Sequence, residues 1–221
     1  MIENLLAGDD RTSIHAPKIE GLRARAESHL IESIEIKGRI SEHCMTSILE
    51  TARLITETFR SGGKLLLCGN GGSAADCQHI AAEFVNRLST ESKRPGLAAI
   101  ALTTDTSFLT SFANDSSFEG VFERQVKVLG KPGDLLIGIS TSGDSQNVIR
   151  ALEAAEAADM RTVFLTGSNN RLVKMADITI SVPSHNTQYI QEAHLSIEHI
   201  VCDLVERSLF GDGDDREIES N

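Results

Sequence analysis

From Lys64 onward the chain alternates between short apolar runs and longer segments of helical spacing. The apolar runs are near-continuous, as in Leu65-Leu66-Leu67, which is the pattern of strands covered on both faces. They predict strands at 64–68, 97–102, 134–139, 161–166 and 177–182. The intervening spacing predicts helices at 73–88, 105–112, 117–129, 144–158, 170–175 and 187–209. Residues 18–60 carry no strand signal. They show helical periodicity in two pieces, with apolar positions such as Ile31, Ile34, Ile40, Ile48 and Ile55, and Ser61-Gly62-Gly63 stops the second piece. Alternating strands and helices imply an α/β fold: a five-stranded parallel sheet between two helical layers, flanked by long N- and C-terminal helices. Sheets of this kind bind ligands outside the carboxyl ends of their strands.

Two of those strand ends carry unusual loops. Cys68-Gly69-Asn70-Gly71-Gly72-Ser73 follows the first strand. Its glycines allow a sharp turn and a close backbone approach, and Ser73 falls where a helix N-cap is expected. Ser140-Thr141-Ser142-Gly143-Asp144-Ser145 follows the third strand and presents four hydroxyls within six residues. Helix N-termini with free N–H groups favour a phosphate or carboxylate. Neither loop has the spacing of a dinucleotide fingerprint or a Walker A loop, and neither holds a Lys or Arg. A monophosphate suits this chemistry better than a triphosphate with Mg²⁺. Asp144 is the awkward member, expected to cap the helix and face away from an anion.

Acid–base candidates sit on the helices that follow. His79 and Glu83 are four residues apart and share a helix face, which suits joint metal ligation or a paired acid and base. The last helix reads Gln191-Glu192-Ala193-His194-Leu195-Ser196-Ile197-Glu198-His199. His194 with Glu198 and Glu192 with His199 are both possible pairs, and spacing alone leaves the choice open.

Composition narrows the classes. The 221 residues are 40% hydrophobic and 24% charged, in keeping with one soluble globular domain. A formal charge of −11 argues against nucleic acid or a lipid surface as partner. No apolar run approaches the roughly 20 residues that span a bilayer, and no secretory signal pattern opens the chain, so a cytoplasmic protein is expected. Cys44, Cys68, Cys77 and Cys202 lack CxxC spacing and read as buried reduced thiols. Residues 1–17 read as a flexible arm, 18–210 as one domain, and 211–221 as an acidic disordered tail.

Taken together, several ordered motifs resemble the sugar isomerase (SIS) domain family, and within it the phosphoheptose isomerases. The residues are Cys68-Gly69-Asn70-Gly71-Gly72-Ser73, Ser140-Thr141-Ser142-Gly143, and Ile190-Gln191-Glu192-Ala193-His194 through His199. Arg94-Pro95-Gly96, Ala113-Asn114-Asp115, and Ala176-Asp177 leading to Val182-Pro183 extend the match over about residues 20–209. The resemblance implies a flavodoxin-like three-layer SIS fold. It also implies conversion of D-sedoheptulose 7-phosphate to D-glycero-D-manno-heptose 7-phosphate through an enediol. That is the first step toward nucleotide-activated heptose, which feeds lipopolysaccharide, capsule or another glycan.

By the same resemblance Glu83 is the general base and His199 the general acid. His79, Glu83, Gln191 and His199 are ligands of one zinc per subunit. Asn70, Gly71, Gly72, Ser73, Glu83, Asn114, Asp115, Ser140, Thr141, Ser142, Ser145 and Gln191 are substrate contacts. The resemblance further implies a homotetramer with active sites near subunit contacts. A second reading comes from a different class, a non-catalytic SIS scaffold of the DnaA initiator-associating type. That relative lacks the carboxylate and imidazole at the positions of Glu83 and His199. Both are present here, which favours the enzyme.

Overall fold

The computed structural model describes residues 19–88, 93–168 and 175–211. Two helices open it, α1 (Ile19–His43) and α2 (Met45–Arg60). β1 (Leu65–Gly69) leads into α3 (Gly72–Val85), and β2 (Ala99–Ala101) into α4 (Thr106–Asp115). A 3₁₀ turn at Phe118–Gly120 precedes α5 (Val121–Leu129). β3 (Leu135–Ser140) leads into α6 (Gln146–Ala157), and β4 (Arg161–Thr166) and β5 (Ile178–Ser181) follow. α7 (Thr187–Phe210) closes the order.

The five strands lie in the order β2-β1-β3-β4-β5, and every neighbouring pair is parallel. This is the flavodoxin-like order. Leu66 lies between Ile100 and Leu136, and Ile137 between Leu67 and Val163. Both neighbours of β1 come later in the chain, so the winding reverses between β1 and β3. The crevice at their carboxyl ends is the place where such sheets accept ligands.

The central strands β1 and β3 are buried on both faces, as their unbroken apolar runs require, whereas β2 exposes Ile100 at one edge. Leu65 and Leu67 point into a core shared with Ile48 and Ile55 of α2, Ile80 and Phe84 of α3, and Ile197 and Val201 of α7. Leu66 and Cys68, one residue out of phase, join Val126 of α5 and Val148 and Leu152 of α6 in the opposite layer. The central strands therefore belong to two cores at once, and α3 and α7 are pressed side by side on one face. α1 is different: only Ser33, Ile36 and Ile40 of its 25 residues are buried.

Strand positions match the apolar runs to within about two residues, but several helix ends differ from their spacing. The helix expected at 73–88 starts one residue earlier and stops at Val85. It stops because the returning chain takes its last carbonyls: Leu97 N and Arg94 Nη1 both donate to Phe84 O, at 3.0 and 2.9 Å. The segment 117–129 splits into a 3₁₀ turn and α5. Asp105 caps α4 by accepting from Phe108 N at 2.9 Å. The arm at 1–17, most of the 170–175 helix and nearly all of the acidic tail fall outside the described residues.

Candidate active site

The glycine loop is shaped by two requirements. Gly71, the residue before α3, has φ of +56°, a setting that side chains disfavour. Gly72 leaves room for a neighbour: a Cβ there would stand 2.1 Å from Gln191 Nε2. The Gln191 amide of α7 thus lies directly over the start of α3. Ser73 is inside the first turn and is buried, so it is not the cap that its position in the sequence suggested. α3 starts at the carboxyl end of β1, so its first turn opens at the crevice end of the sheet.

The second loop is braced internally. Ser140 and Ser145 pair through their hydroxyls at 2.9 Å, and Gly143 N donates to Ser140 Oγ at 3.2 Å. Ser145, not Asp144, occupies the N-cap position of α6, and its hydroxyl goes to Ser140 instead of to the helix. Asp144 N donates to Ser142 Oγ at 3.2 Å. The two loops are linked through α6. Asn70 and buried Asn147 exchange a reciprocal pair of amide hydrogen bonds, each 2.8 Å. The Asn70 side chain is therefore a clasp between the glycine loop and the first turn of α6, which follows the second loop. Asn114 and Asp115 end α4, both exposed, with Asn114 Nδ2 donating to Asp115 Oδ1 at 2.9 Å. No hydrogen bond among the described residues ties either to the loops.

Farther along α3 and α7, three candidate groups meet. His79 Nε2 and His199 Nε2 are 2.8 Å apart, and His79 Nε2 is 3.7 Å from Glu83 Oε1. One ring nitrogen of the histidine pair donates to the other. All three ligand atoms lie within 4.8 Å of one another. Glu83 Oε2 is buried and has no hydrogen-bond partner among the described residues. Two imidazole nitrogens and one carboxylate with an orphaned oxygen are a donor set that suits a zinc ion. The fourth expected ligand, Gln191, stands two helical turns before His199, its amide against Gly72 and 3.4 Å from Asp76 Oδ2.

The structure also decides between the pairs that spacing left open. His194 is wholly buried, with Nε2 3.3 Å from Thr166 O, and burial pushes its pKa down to about 4. Glu198 turns into the core. Burial first, and the Asp76 charge second, push its carboxyl up to about 8. It borders a core void of about 20 Å³, room for about one water. Glu192 pairs with α1 instead, receiving Ser33 Oγ at 2.5 Å and meeting His29 Nε2 at 2.7 Å. None of these joins the cluster around Glu83.

Two groups were not picked out from the sequence. Asp76 lies one turn before His79 on the same face of α3, and burial raises its pKa while the Gln191 contact works the other way. Its spacing from His79 and Glu83 was a usable signal. His29 joins Asp76, Gln188, Gln191 and Glu192 in lining a cleft of about 570 Å³. Nothing in the local spacing around His29 marks it, because its partner is on α7.

These features can be set against known proteins. The SIS domain family model matches residues 30–167. A phosphoheptose isomerase of Roseiflexus sp. (strain RS-1) is 58% identical over 179 residues, which is 80% of this chain and 90% of that protein. The chain belongs to the phosphoheptose isomerase family. The solved phosphoheptose isomerase of Neisseria gonorrhoeae superposes with a TM-score of 0.78 at 42% identity, covering 83% of this chain and 98% of its own. That of Francisella tularensis superposes with a TM-score of 0.79 at 37% identity, covering 83% and 97%. The α/β SIS fold expected from the motifs is thus the fold of the family. No helix of the described residues is long and apolar enough to cross a membrane.

Proposed function

We propose that the chain isomerises D-sedoheptulose 7-phosphate to D-glycero-D-manno-heptose 7-phosphate. The observation that carries this reading is the convergence of the Glu83 carboxylate and the His199 imidazole beside His79, on two helices that both pass the glycine loop. A ketose becomes an aldose by moving one proton between adjacent carbons. Glu83 takes the C1 proton, leaving an enediol, and returns it at C2. His199 moves the protons on the neighbouring oxygens in the opposite sense, so that no net proton is gained or lost. Groups of this kind contribute about 10²–10⁴-fold each.

The anionic end of the sugar is held by the hydroxyls of Ser140, Thr141, Ser142 and Ser145, by Ser73 and by the backbone of Asn70, Gly71 and Gly72. That grip places C1 and C2 against Glu83. Gln191, lying between the loop and the cluster, contacts the sugar chain. Zinc, one per subunit, bound by His79, Glu83 and His199 with Gln191 as the further ligand, would polarise the carbonyl oxygen.

The assembly is a homotetramer. α1 supports this: Leu30, Ile31 and Ile34 form one apolar patch, each more than half exposed, on a helix with few contacts of its own. Asn114 and Asp115, which make no hydrogen bond to the loops among the described residues, contact substrate in the assembled particle. We place the reaction in the cytoplasm, at the first step toward nucleotide-activated heptose for lipopolysaccharide and related glycans. Nucleic acid and membrane are not partners, in line with the charge of −11.

The test is direct. Purified protein incubated with sedoheptulose 7-phosphate in D₂O is followed by NMR. The aldose product carrying deuterium at C2 is expected. A substrate that remains unchanged, with no exchange at C1, overturns the reading.

A further inference from the structure

The Ser140–Ser145 loop has a charge deficit. It offers hydroxyls and amides but no Lys or Arg, and it includes Asp144, in a chain that is acidic overall. The structure places an ionisable ring beside the same loop. Thr141 and Ser142 line a cavity of about 340 Å³ together with Ser168, Ser184, His185 and Thr187. His185 is the only ionisable side chain among the described residues of this lining. Asp144, the acidic residue nearest in the loop, does not line it. From β4 and from the first turn of α7 the lining residues are Gly167, Ser168, Thr187 and Ile190, none of them charged.

The loop that carries His185 is held on both sides. Ser168 N donates to Ser184 O at 3.0 Å, and Asn186 N donates to Ser184 Oγ at 3.1 Å. Asn186 then caps α7 by accepting from Gln188 N at 3.0 Å. Gly167 N donates to Thr141 O at 3.1 Å, which fixes the hydroxyl loop against the same strand end. The ring is thus exposed on a backbone that is pinned relative to Thr141 and Ser142, with no hydrogen bond or ion pair to a described residue. A rigidly based, unengaged imidazole facing hydroxyls is a preformed donor for an anion.

We propose that His185 is a further binding residue for the phosphate of the sugar, donating a ring N–H to it across the cavity that it lines together with Thr141 and Ser142. This rests on the isomerase reading for the identity of the ligand, but not for the presence of an anion contact. The ring does not touch the carbons that exchange protons. Its loss therefore weakens binding and leaves the chemical step alone.

The experiment compares the full chain with His185→Ala, His185→Gln and His185→Lys. With sedoheptulose 7-phosphate, His185→Ala is expected to raise KM about tenfold, the worth of one charge-assisted contact, with kcat within about twofold. His185→Lys is expected to recover most of the loss, and His185→Gln little of it. In parallel, inorganic phosphate is titrated into each protein, and the His185 ring signals of the wild type are followed by NMR. These are expected to shift with saturation, and the phosphate affinity to fall in His185→Ala. A KM unchanged in His185→Ala, or ring signals blind to phosphate, overturns the inference. If the wild type turns over no sugar phosphate, the isomerase reading fails, and the phosphate titration still decides the role of His185.

Discussion

Arg94 donates from Nη2 to the backbone carbonyl of Glu83 at 2.7 Å, while its Nε meets Glu206 Oε2 of α7 at 2.6 Å. One guanidinium, its side chain almost wholly buried, thus joins the end of the helix that bears Glu83 to the helix that bears His199. Cations near a helix C-terminus are favoured by its dipole, and here the same cation neutralises a half-buried carboxylate. Arg94→Ala removes this charge from beside Glu206 and this donor from the Glu83 carbonyl, while Phe84 O keeps its bond from Leu97 N. A loss of about 3–5 kcal/mol in unfolding free energy is expected, measured by urea titration. Arg94→Lys, which cannot fork between the two helices, recovers only part of it.

Glu83→Gln keeps the shape of the side chain and removes the base. It should lower kcat by about 10²–10⁴-fold with little change in thermal midpoint, since Glu83 Oε2 makes no hydrogen bond that the fold depends on. Retention of more than a tenth of the wild-type rate contradicts its assignment.

Metal content gives a separate check on the cluster. Elemental analysis of protein purified without chelator should find about one zinc per chain. His79→Ala and His199→Ala, each deleting one donor from the three-atom group, should reduce that content, and prolonged dialysis against a chelator should abolish it.

The interior of α7 makes stability depend on pH in two opposing ways. Glu198 is pushed up to about 8 from 4.5, so the folded state holds its proton more tightly than the unfolded one. Its contribution is full below about pH 4.5 and is lost as pH rises through 8. His194 is pushed down to about 4 from 6.5, so it favours the folded state above pH 6.5 and that contribution is lost as pH falls toward 4. Glu198→Gln should therefore raise the unfolding midpoint more at pH 8 than at pH 5, in calorimetry at matched ionic strength. An equal shift at both values removes Glu198 as the titrating group.

A charge placed on the open side of α1 tests the assembly. Ile34 is 69% exposed in the single chain, beside Leu30 and Ile31. Ile34→Glu should convert the proposed tetramer to smaller species in light scattering while leaving the α/β circular dichroism intact, because the residue is outside both cores.

Much of this molecule was legible before any coordinates. The strands were visible because a strand buried on both faces cannot interrupt its apolar run, as 65–67 and 135–139 show. The two ligand loops were visible because strand-to-helix turns use Gly, Ser and Thr. The pairing of His79 with Glu83 followed from one helical turn. What spacing could not show was the rotation of α7. Glu198 and His199 differ by about 100° around the helix, and only the packing of α7 on α2 and α3 sends one into the core and the other to the cluster. The partnership of Glu192 with His29 was hidden for a related reason, since 163 positions separate them. His185 lies in a connection without periodicity, where the neighbours of a residue are set by strand order and not by local spacing.

α3 begins within the glycine loop and carries His79 and Glu83 two and three turns later, as one unbroken rod. Under the proposed reading, the gap between the anchoring end and the reacting end is consequently set by helical rise, which thermal motion barely alters. Such a site measures its guest: a sugar phosphate one or two carbons shorter, held by the same anchor, would stop short of the base however tightly it bound.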